Sequence, residues 1–274
     1  MKIWYQSLVR ESLFGSYFTQ LKKIIDHAKD DSTVVDLYGI TKIGGLGKQH
    51  HYLEYLQTAE VLENVAKASE LGYDGFVIGH FTDSGLYEAR EVSRFPVVGL
   101  GEASMHMACM MGRHFSLVGL NRKSLGFIEE RAHLYGLSSR ISPSQTMSLR
   151  NPSILERALV DPEAMQSVCN EFMTAAEKAQ DGGAEVIIPA GGVAMAALIA
   201  AGVHATGNGA TVLNGIAAVV KTVEMAVKMD RLMSGGFVSR ALHYSHPRQD
   251  EILDIRKYYG EQAYRAIDST RNAD

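Results

Sequence analysis

The chain has 274 residues, 46% of them hydrophobic and 21% charged, and its formal net charge at pH 7 is −4. This length can bury one large hydrophobic core or two moderate ones, and the charge leaves no basic surface for nucleic acid or an anionic membrane. The sequence has neither the apolar run of roughly 18 residues that a membrane span needs nor a secretory leader. We therefore expect a cytoplasmic protein that binds neither nucleic acid nor membranes.

The first half alternates apolar segments with amphipathic ones, which predicts parallel strands connected by helices. A Gly-rich loop at 39–51 interrupts this pattern, and its His50-His51 pair could contact a ligand, although exposed histidines without a role are common in loops. The expected strands are 2–8, 33–38, 73–79, 96–99 and 115–119, and the expected helices are 16–28, 54–71, a segment after Leu86, 102–111 and 122–135.

The second half continues the alternation. The polar stretch 137–151 has no clear periodicity, and a long helical region that begins at Pro152 or Pro162 is expected to run to about Gly182. The following segments predict a strand at 185–189, a helix after Gly192, a short strand at 211–213, a largely buried helix at 214–233, a polar loop at 235–247 and an amphipathic helix in the tail at 250–274.

Part of the chain is repeated. Gly-Tyr-Asp-Gly-Phe-Val-Ile at 72–78 and Gly-Ala-Glu-Val-Ile-Ile at 183–188 both read as a strand that enters a small-residue turn and then a helix. Val-Val-Gly-Leu-Gly-Glu-Ala at 97–103 and Val-Leu-Asn-Gly-Ile-Ala-Ala at 212–218 follow at nearly the same offset. The repeat predicts two related α/β lobes that face each other with a ligand between them.

The turns after the two repeated strands carry the groups best suited to bind an anion, because hydroxyl and backbone N–H groups at a helix start stabilise negative charge. Gln6 and Asn214 could contact an amide or a carboxylate from neighbouring strand ends, and structural hydrogen bonding is equally compatible with both. Helix capping or a tight turn is the simpler role for several of the others. The predicted substrate-binding residues of the two turns are Thr82, Asp83, Ser84, Gly85, Gly191, Gly192 and Val193.

Two further patterns have structural explanations. Cys109 and Cys169 lie among Met, Val and Phe at helical spacing, which favours burial over nucleophilic or disulfide chemistry. Glu102 and His106 are four residues apart on one predicted helix, and with His80 and Asp83 they could form a metal site. We expect no metal here.

Taken together, these motifs resemble the aspartate/glutamate/hydantoin racemase superfamily, most closely its hydantoin and allantoin racemases. The resemblance covers most of the chain, from the first strand to Ser239-Arg240. It implies two pseudo-symmetric flavodoxin-like lobes, each a parallel sheet flanked by helices, with the site in the cleft between them. Lobe 1 would contain residues 1–100 and 212–274, and lobe 2 residues 101–211. It also implies a homo-oligomer, no cofactor, a small carboxylate or cyclic amide as substrate, and Arg240 near the cleft as an anion ligand.

The chain departs from the family at the two positions that matter most for its mechanism. The family uses two cysteines on opposite faces of one carbon, and these positions correspond to His80 and Gly192. Racemisation by two thiols is therefore excluded. His80 can act as one acid/base, because imidazole both accepts and donates a proton near neutral pH. A second group would have to come from elsewhere, such as Tyr5, His106 or His243.

The sequence therefore predicts an isomerase or racemase-type enzyme that transfers a proton next to a carbonyl, with His80 as the catalytic residue. Two alternatives remain open at this stage. A lyase, decarboxylase or ring-opening hydrolase could use the same fold and the same single acid/base. A non-catalytic binding protein would also be expected to lack the family thiols.

Overall fold

The structure is a computed structural model that describes residues 1–42, 50–149 and 153–268. The middle of the predicted 39–51 loop, Pro152 and the last residues of the predicted tail helix lie outside the described residues. The strands are β1 (Lys2–Gln6), β2 (Val34–Tyr38), β3 (Gly75–Ile78), β4 (Val97–Gly99), β5 (Phe115–Gly119), β6 (Gln145–Thr146), β7 (Val186–Pro189) and β8 (Thr211–Val212). The helices are α1 (Gly15–Ala28), α2 (His51–Glu70), α3 (Leu86–Val92), α4 (Leu100–Met111), α5 (Arg122–Leu134), α6 (Ile154–Ala158), α7 (Pro162–Asp181), α8 (Gly192–Ala200), α9 (Gly215–Leu232), α10 (Gln249–Tyr259) and α11 (Arg265–Asp268).

The strands form two parallel four-stranded sheets with the same internal order. The first sheet is ordered β2-β1-β3-β4 and the second β6-β5-β7-β8, so that each strand of one sheet has a counterpart four strands later. The internal repeat predicted from the sequence is therefore confirmed as a repeat of βα units, and the predicted two-lobed α/β fold is confirmed with it.

Alternation along β1 sends neighbouring side chains to opposite faces of the first sheet. Trp4 and Gln6 lie on the face covered by α2, where the Trp4 ring stacks on Tyr38 with 3.8 Å between ring centroids. Tyr5 and the following Ser7 lie on the other face, which α1 covers. All four side chains are buried. One face of β1 therefore packs against α2, and the other, with Tyr5 and Ser7, packs against α1.

Helices α4 and α9 join the two sheets. Helix α4 follows the first sheet in sequence but contacts β5 and β7, whereas α9 follows the second sheet and contacts β3 and β4. The two helices also pack against each other, so one hydrophobic core contains residues of both sheets. The lobe boundaries at residues 100 and 212 stay a prediction, which this crossed packing supports.

The structure confirms one of the two predicted starts of the helix before residue 182 and shortens the predicted tail helix. Helix α7 begins at Pro162, where the Asp161 carboxylate caps it by accepting the Glu163 N–H at 2.9 Å, and the short α6 precedes it. The tail helix α10 ends at Tyr259, since Gly260 has a φ of 88° that ends the helix. Within the described ranges, no helix is long and apolar enough to cross a bilayer.

Candidate active site between the two sheets

The carboxyl ends of β3 and β7 approach each other, and the loops that follow them form the candidate site. A Cβ atom on Gly192, at the start of α8, would lie 3.6 Å from the backbone oxygen of Gly79 at the end of β3. His80 follows directly and is partly exposed. Crevices at the carboxyl ends of parallel strands are the usual ligand sites of α/β proteins.

His80 begins a chain of hydrogen bonds that ends on a carboxylate. Its Nδ1 lies 2.7 Å from the Thr82 hydroxyl, which lies 2.9 Å from the Ser84 hydroxyl, and Ser84 donates to Glu54 Oε1 at 2.6 Å. An ionised carboxylate only accepts, so each hydroxyl must donate towards Glu54. The Thr82 oxygen therefore accepts from His80 Nδ1–H. This order leaves Nε2 of the neutral ring as the basic nitrogen.

Two opposing effects set the protonation of His80. Burial lowers the pKa of the imidazole from its ordinary value of 6.5, and the Glu54 carboxylate partly offsets this by raising it. The lowered pKa keeps the ring neutral at pH 7. His80 is therefore ready to accept a proton at Nε2, and Glu54 can stabilise the resulting imidazolium through the two hydroxyls.

Asp83 stabilises the loop that carries this hydrogen-bond chain. Its backbone is in the left-handed region with a φ of 51°, and its buried carboxylate accepts the N–H groups of Gly101 at 2.9 Å and Glu102 at 2.7 Å. The Tyr135 hydroxyl donates to the same carboxylate at 2.7 Å. Side chains at Gly99 or Gly101 would overlap the carboxylate, which explains the Gly-Leu-Gly sequence there. Burial raises the pKa of Asp83 to about 7, against these hydrogen bonds.

Side chains of the protein bind the first N–H groups of α1, α4 and α9, whereas α8 has no such cap. Asp83 caps α4, Asn214 caps α9 by accepting the Ala217 N–H at 2.9 Å, and the Glu156 carboxylate binds the first N–H groups of α1. Helix α8 has no side-chain cap, and a side chain at Gly191 would point into open space. The first N–H groups of α8 are therefore available to an anionic ligand.

Comparison with known proteins identifies the family. The family model described as Asp/Glu/Hydantoin racemase matches residues 16–223. The chain belongs to this family. Over 244 residues it is 28% identical to a hydantoin racemase of Pseudomonas sp. (strain NS671), covering 88% of this chain and 92% of that protein. The chain is thus an enzyme of the racemase superfamily.

Solved structures show the same fold. Allantoin racemase from Klebsiella pneumoniae superposes with a TM-score of 0.74 at 24% identity, covering 91% of this chain and 94% of that one. Allantoin racemase from Pseudomonas fluorescens superposes with a TM-score of 0.69 at 22% identity, covering 90% and 97% of the two chains.

The residues predicted from the sequence divide into two groups in this racemase-family fold. His80, Thr82 and Ser84 form the hydrogen-bond chain, and Gly85, with a φ of 79°, immediately precedes α3. Gly191, Gly192 and Val193 form the start of α8 on the facing side. These residues remain candidates for direct contact with a substrate.

The other predicted ligands make internal contacts. The Gln6 amide accepts from Trp4 at 3.0 Å and Asn64 at 2.9 Å on the α2 face of the sheet. Arg240 donates to backbone oxygens of Arg90, at 2.8 Å, and Ser93, at the end of α3. Asn214 and Asp83 cap helices. These contacts support structural roles for all four side chains, and their predicted contacts with a substrate stay predictions.

The remaining alternatives find little support in the contacts. Glu102 pairs with Arg90, and no group of three or more His, Cys, Asp or Glu side chains in the described part of the chain is placed to bind a metal. Burial raises the pKa of both Cys109 and Cys169, which pack at the edges of the core. His50 and His51 contact α5, through Lys123 and Phe127.

Two residues near the site were missed. Glu54 lies in the first turn of α2, 30 residues before Ser84, and its sequence position resembles that of any exposed helix carboxylate. Tyr17 lies in α1, and its hydroxyl lies 3.0 Å from the position of a Cβ on Gly192. In the sequence, Tyr17 is one of several apolar residues of the predicted helix at 16–28, and such a pattern predicts a core residue.

Proposed function

We propose that this enzyme removes the proton at C5 of a 5-monosubstituted hydantoin or a similar cyclic amide and returns a proton to the same carbon, as an isomerase of the racemase class. The observation that carries this proposal is the directed hydrogen-bond chain from His80 through Thr82 and Ser84 to Glu54. It orients a neutral imidazole with Nε2 as the base. The named relatives, which include hydantoin and allantoin racemases, support the choice of substrate class.

The chemistry follows from the electron flow. Nε2 of His80 accepts the C5 proton, and the C–H electron pair moves into the adjacent carbonyl to form an enolate. The developing negative charge on oxygen needs donors already in place, because such donors are the strongest source of stabilisation in enolate-forming enzymes. The unoccupied N–H groups of Gly192 and Val193 at the start of α8 suit this role. Proton return to C5 then regenerates the carbonyl.

Gly192 favours one second candidate, decarboxylation of a substituted malonate or a related carboxylate. The glycine itself carries no proton-transfer group, and loss of CO₂ gives the same enolate with no initial proton abstraction. Only one protonation step then remains. Ring opening by water would instead require His80 to deprotonate water, and it gives a different product.

The test is proton NMR in D₂O with each enantiomer of 5-methylhydantoin and of allantoin, and with phenylmalonate, which is achiral, using wild type, His80→Ala and His133→Ala. His133 is a matched control, because its Nδ1 also contacts a serine hydroxyl, Ser138, at 2.9 Å but on the exposed end of α5. We expect wild type to exchange the C5 proton for deuterium, His80→Ala to be slower by roughly 10²–10⁴-fold and His133→Ala to match wild type.

The products separate the candidates. Exchange with inversion supports the isomerase, release of CO₂ from phenylmalonate supports the decarboxylase, and a carbamoyl amino acid indicates ring opening. Exchange at the wild-type rate in His80→Ala would overturn the assignment of His80. No exchange of either hydantoin by wild type would overturn the proposed substrate class.

A further inference from the structure

Tyr17 is held rigidly at the boundary between the two sheets. Its side chain is 1% exposed, and its ring meets Phe18 edge-on with 5.7 Å between centroids. Its backbone N–H donates to the Glu156 carboxylate at 3.2 Å, and its phenol oxygen forms a hydrogen bond with the Ser7 hydroxyl. Contacts at both ends therefore fix where the hydroxyl lies.

The Tyr17 hydroxyl lies beside Gly192, at the start of α8. A Cβ on Gly192 would lie only 3.0 Å from this oxygen, closer than nine in ten real contacts of a Cβ. The same point is 3.6 Å from the backbone oxygen of Gly79, the residue before His80. The phenol oxygen thus occupies the place that a side chain at position 192 would need, within reach of the loop that carries His80.

We propose that Tyr17 is the second proton-transfer group of this enzyme and donates its O–H proton to C5 on the face opposite His80. The inference rests on the proposed function, because it assigns the other half of the same proton transfer. Gly192 has no side chain that could supply this proton, and Tyr17 on α1 would supply it instead.

The protonation states of the two residues suit these roles at neutral pH. Burial raises the pKa of Tyr17 to about 12, so the phenol carries its proton and acts as an acid. Burial lowers the pKa of His80, so the imidazole is free to act as a base. A site with one ready acid and one ready base on opposite walls inverts a carbon, whereas a single base tends to return the proton to the face from which it came.

The step is balanced as follows. His80 Nε2 takes the C5 proton, the C–H pair forms the enolate, and the enolate carbon then takes the Tyr17 proton while the O–H pair stays on oxygen. The result is inverted product, imidazolium at His80 and phenolate at Tyr17. The Ser7 hydroxyl stabilises the phenolate by donating to it. Water then takes the proton from the imidazolium and returns one to the phenolate.

The experiment measures exchange and inversion separately, by NMR and chiral chromatography, on the enantiomer of 5-methylhydantoin that exchanges faster in D₂O. We expect Tyr17→Phe to keep C5 exchange within about threefold but to lose inversion by roughly 100-fold, so that deuterated substrate of unchanged configuration accumulates. Tyr73→Phe is the control, since the Tyr73 hydroxyl bonds to Asp36 at 2.7 Å on the other face of the sheet. It should invert like wild type.

Ser7→Ala provides a second variant that keeps the Tyr17 ring in place. It should slow inversion more than exchange, because it removes the donor to the phenolate. Inversion by Tyr17→Phe at the wild-type rate would overturn the inference, as would loss of inversion in Tyr5→Phe with Tyr17→Phe unaffected. Absence of exchange in wild type is a different result and contradicts the proposed function itself.

Discussion

The Glu156 carboxylate on α6 binds the backbone N–H of Tyr17 at 3.2 Å, although Ser16 on α1 and Glu156 on α6 lie 140 residues apart in the sequence. The same carboxylate accepts the Ser16 N–H at 2.9 Å, so it closes the start of α1 in place of a local cap. A single side chain thus connects the second half of the chain to the helix that carries the Tyr17 hydroxyl.

Replacement of this carboxylate should therefore weaken both the fold and the site. We expect Glu156→Gln to lower the free energy of unfolding by about 0.5–2 kcal/mol, the usual range for loss of a helix cap. Urea denaturation checks this. The control is Glu163→Gln in the first turn of α7, where Asp161 remains as the cap, and a change below about 0.5 kcal/mol is expected there. Equal losses in the two variants would contradict the prediction.

The hydrogen-bond chain makes a kinetic prediction at Thr82. Thr82→Val keeps the shape of the side chain but leaves His80 Nδ1 without its 2.7 Å partner and separates it from Ser84. We expect kcat for C5 exchange to fall by roughly 10–100-fold with KM changed little, because the lost bond is strongest when the ring is charged. Thr222→Val, which removes a hydroxyl bonded only to the Ala218 carbonyl in α9, should be close to wild type. A larger change in KM than in kcat would indicate a role in binding instead.

Activity should depend on pH through His80. As a base it must be neutral, so kcat/KM should fall as the pH drops through a pKa that burial places below 6.5. Because Glu54 raises this pKa, Glu54→Gln should move the midpoint of the acid limb to still lower pH and reduce kcat. Glu63→Gln, nine residues further along α2 and paired with Lys42, serves as the control. A midpoint that moves to higher pH in Glu54→Gln would contradict the proposed effect of the Glu54 carboxylate on the pKa of His80.

Asp83 predicts a second pH effect, on stability. Its pKa rises from 3.8 in the unfolded chain to about 7 in the folded one, so the folded state binds the extra proton between these values. The stabilisation is complete below pH 3.8, declines as the pH rises to 7 and changes no further above it, for a total of a few kcal/mol. Asp83→Asn should lack this decline. Urea denaturation at several pH values between 4 and 8 measures the decline. If the free energy of unfolding depended on pH in the same way in wild type and Asp83→Asn, the raised pKa of Asp83 would be contradicted.

The fold could be predicted from the sequence largely because its signals are local. Each βα unit carries its own apolar strand, turn and periodic helix, and the repeat of residues 72–103 at 183–218 indicated that the units form two similar sheets. Pro162 is one of the two helix starts that the sequence predicts, and α7 begins there. The end of α10 at Gly260 was not predicted, because the positive φ of a single glycine ends the helix within the amphipathic tail.

The candidate site was predictable only where its residues share one loop. His80, Thr82 and Ser84 are consecutive enough to be identified together, but the carboxylate that orients them is 30 residues away in sequence, on α2. Tyr17 and Gly192 are brought together by the packing of α1 against α8, which no periodic pattern encodes. Gln6 and Arg240 have the right chemistry for a ligand, and the sequence does not reveal the internal bonds that they make to Asn64 and to the Arg90 carbonyl.

The two cysteines of this chain lie on α4 and α7, and neither takes part in the hydrogen bonds around His80 or Tyr17. An enzyme whose acid and base are a phenol and an imidazole has no sulfur to lose at its reacting carbon. Peroxide, which inactivates enzymes that depend on a thiolate, would find no catalytic sulfur here. Position 192, where glycine leaves room for the Tyr17 oxygen, thereby gives this member of the family chemistry that is compatible with oxidising conditions.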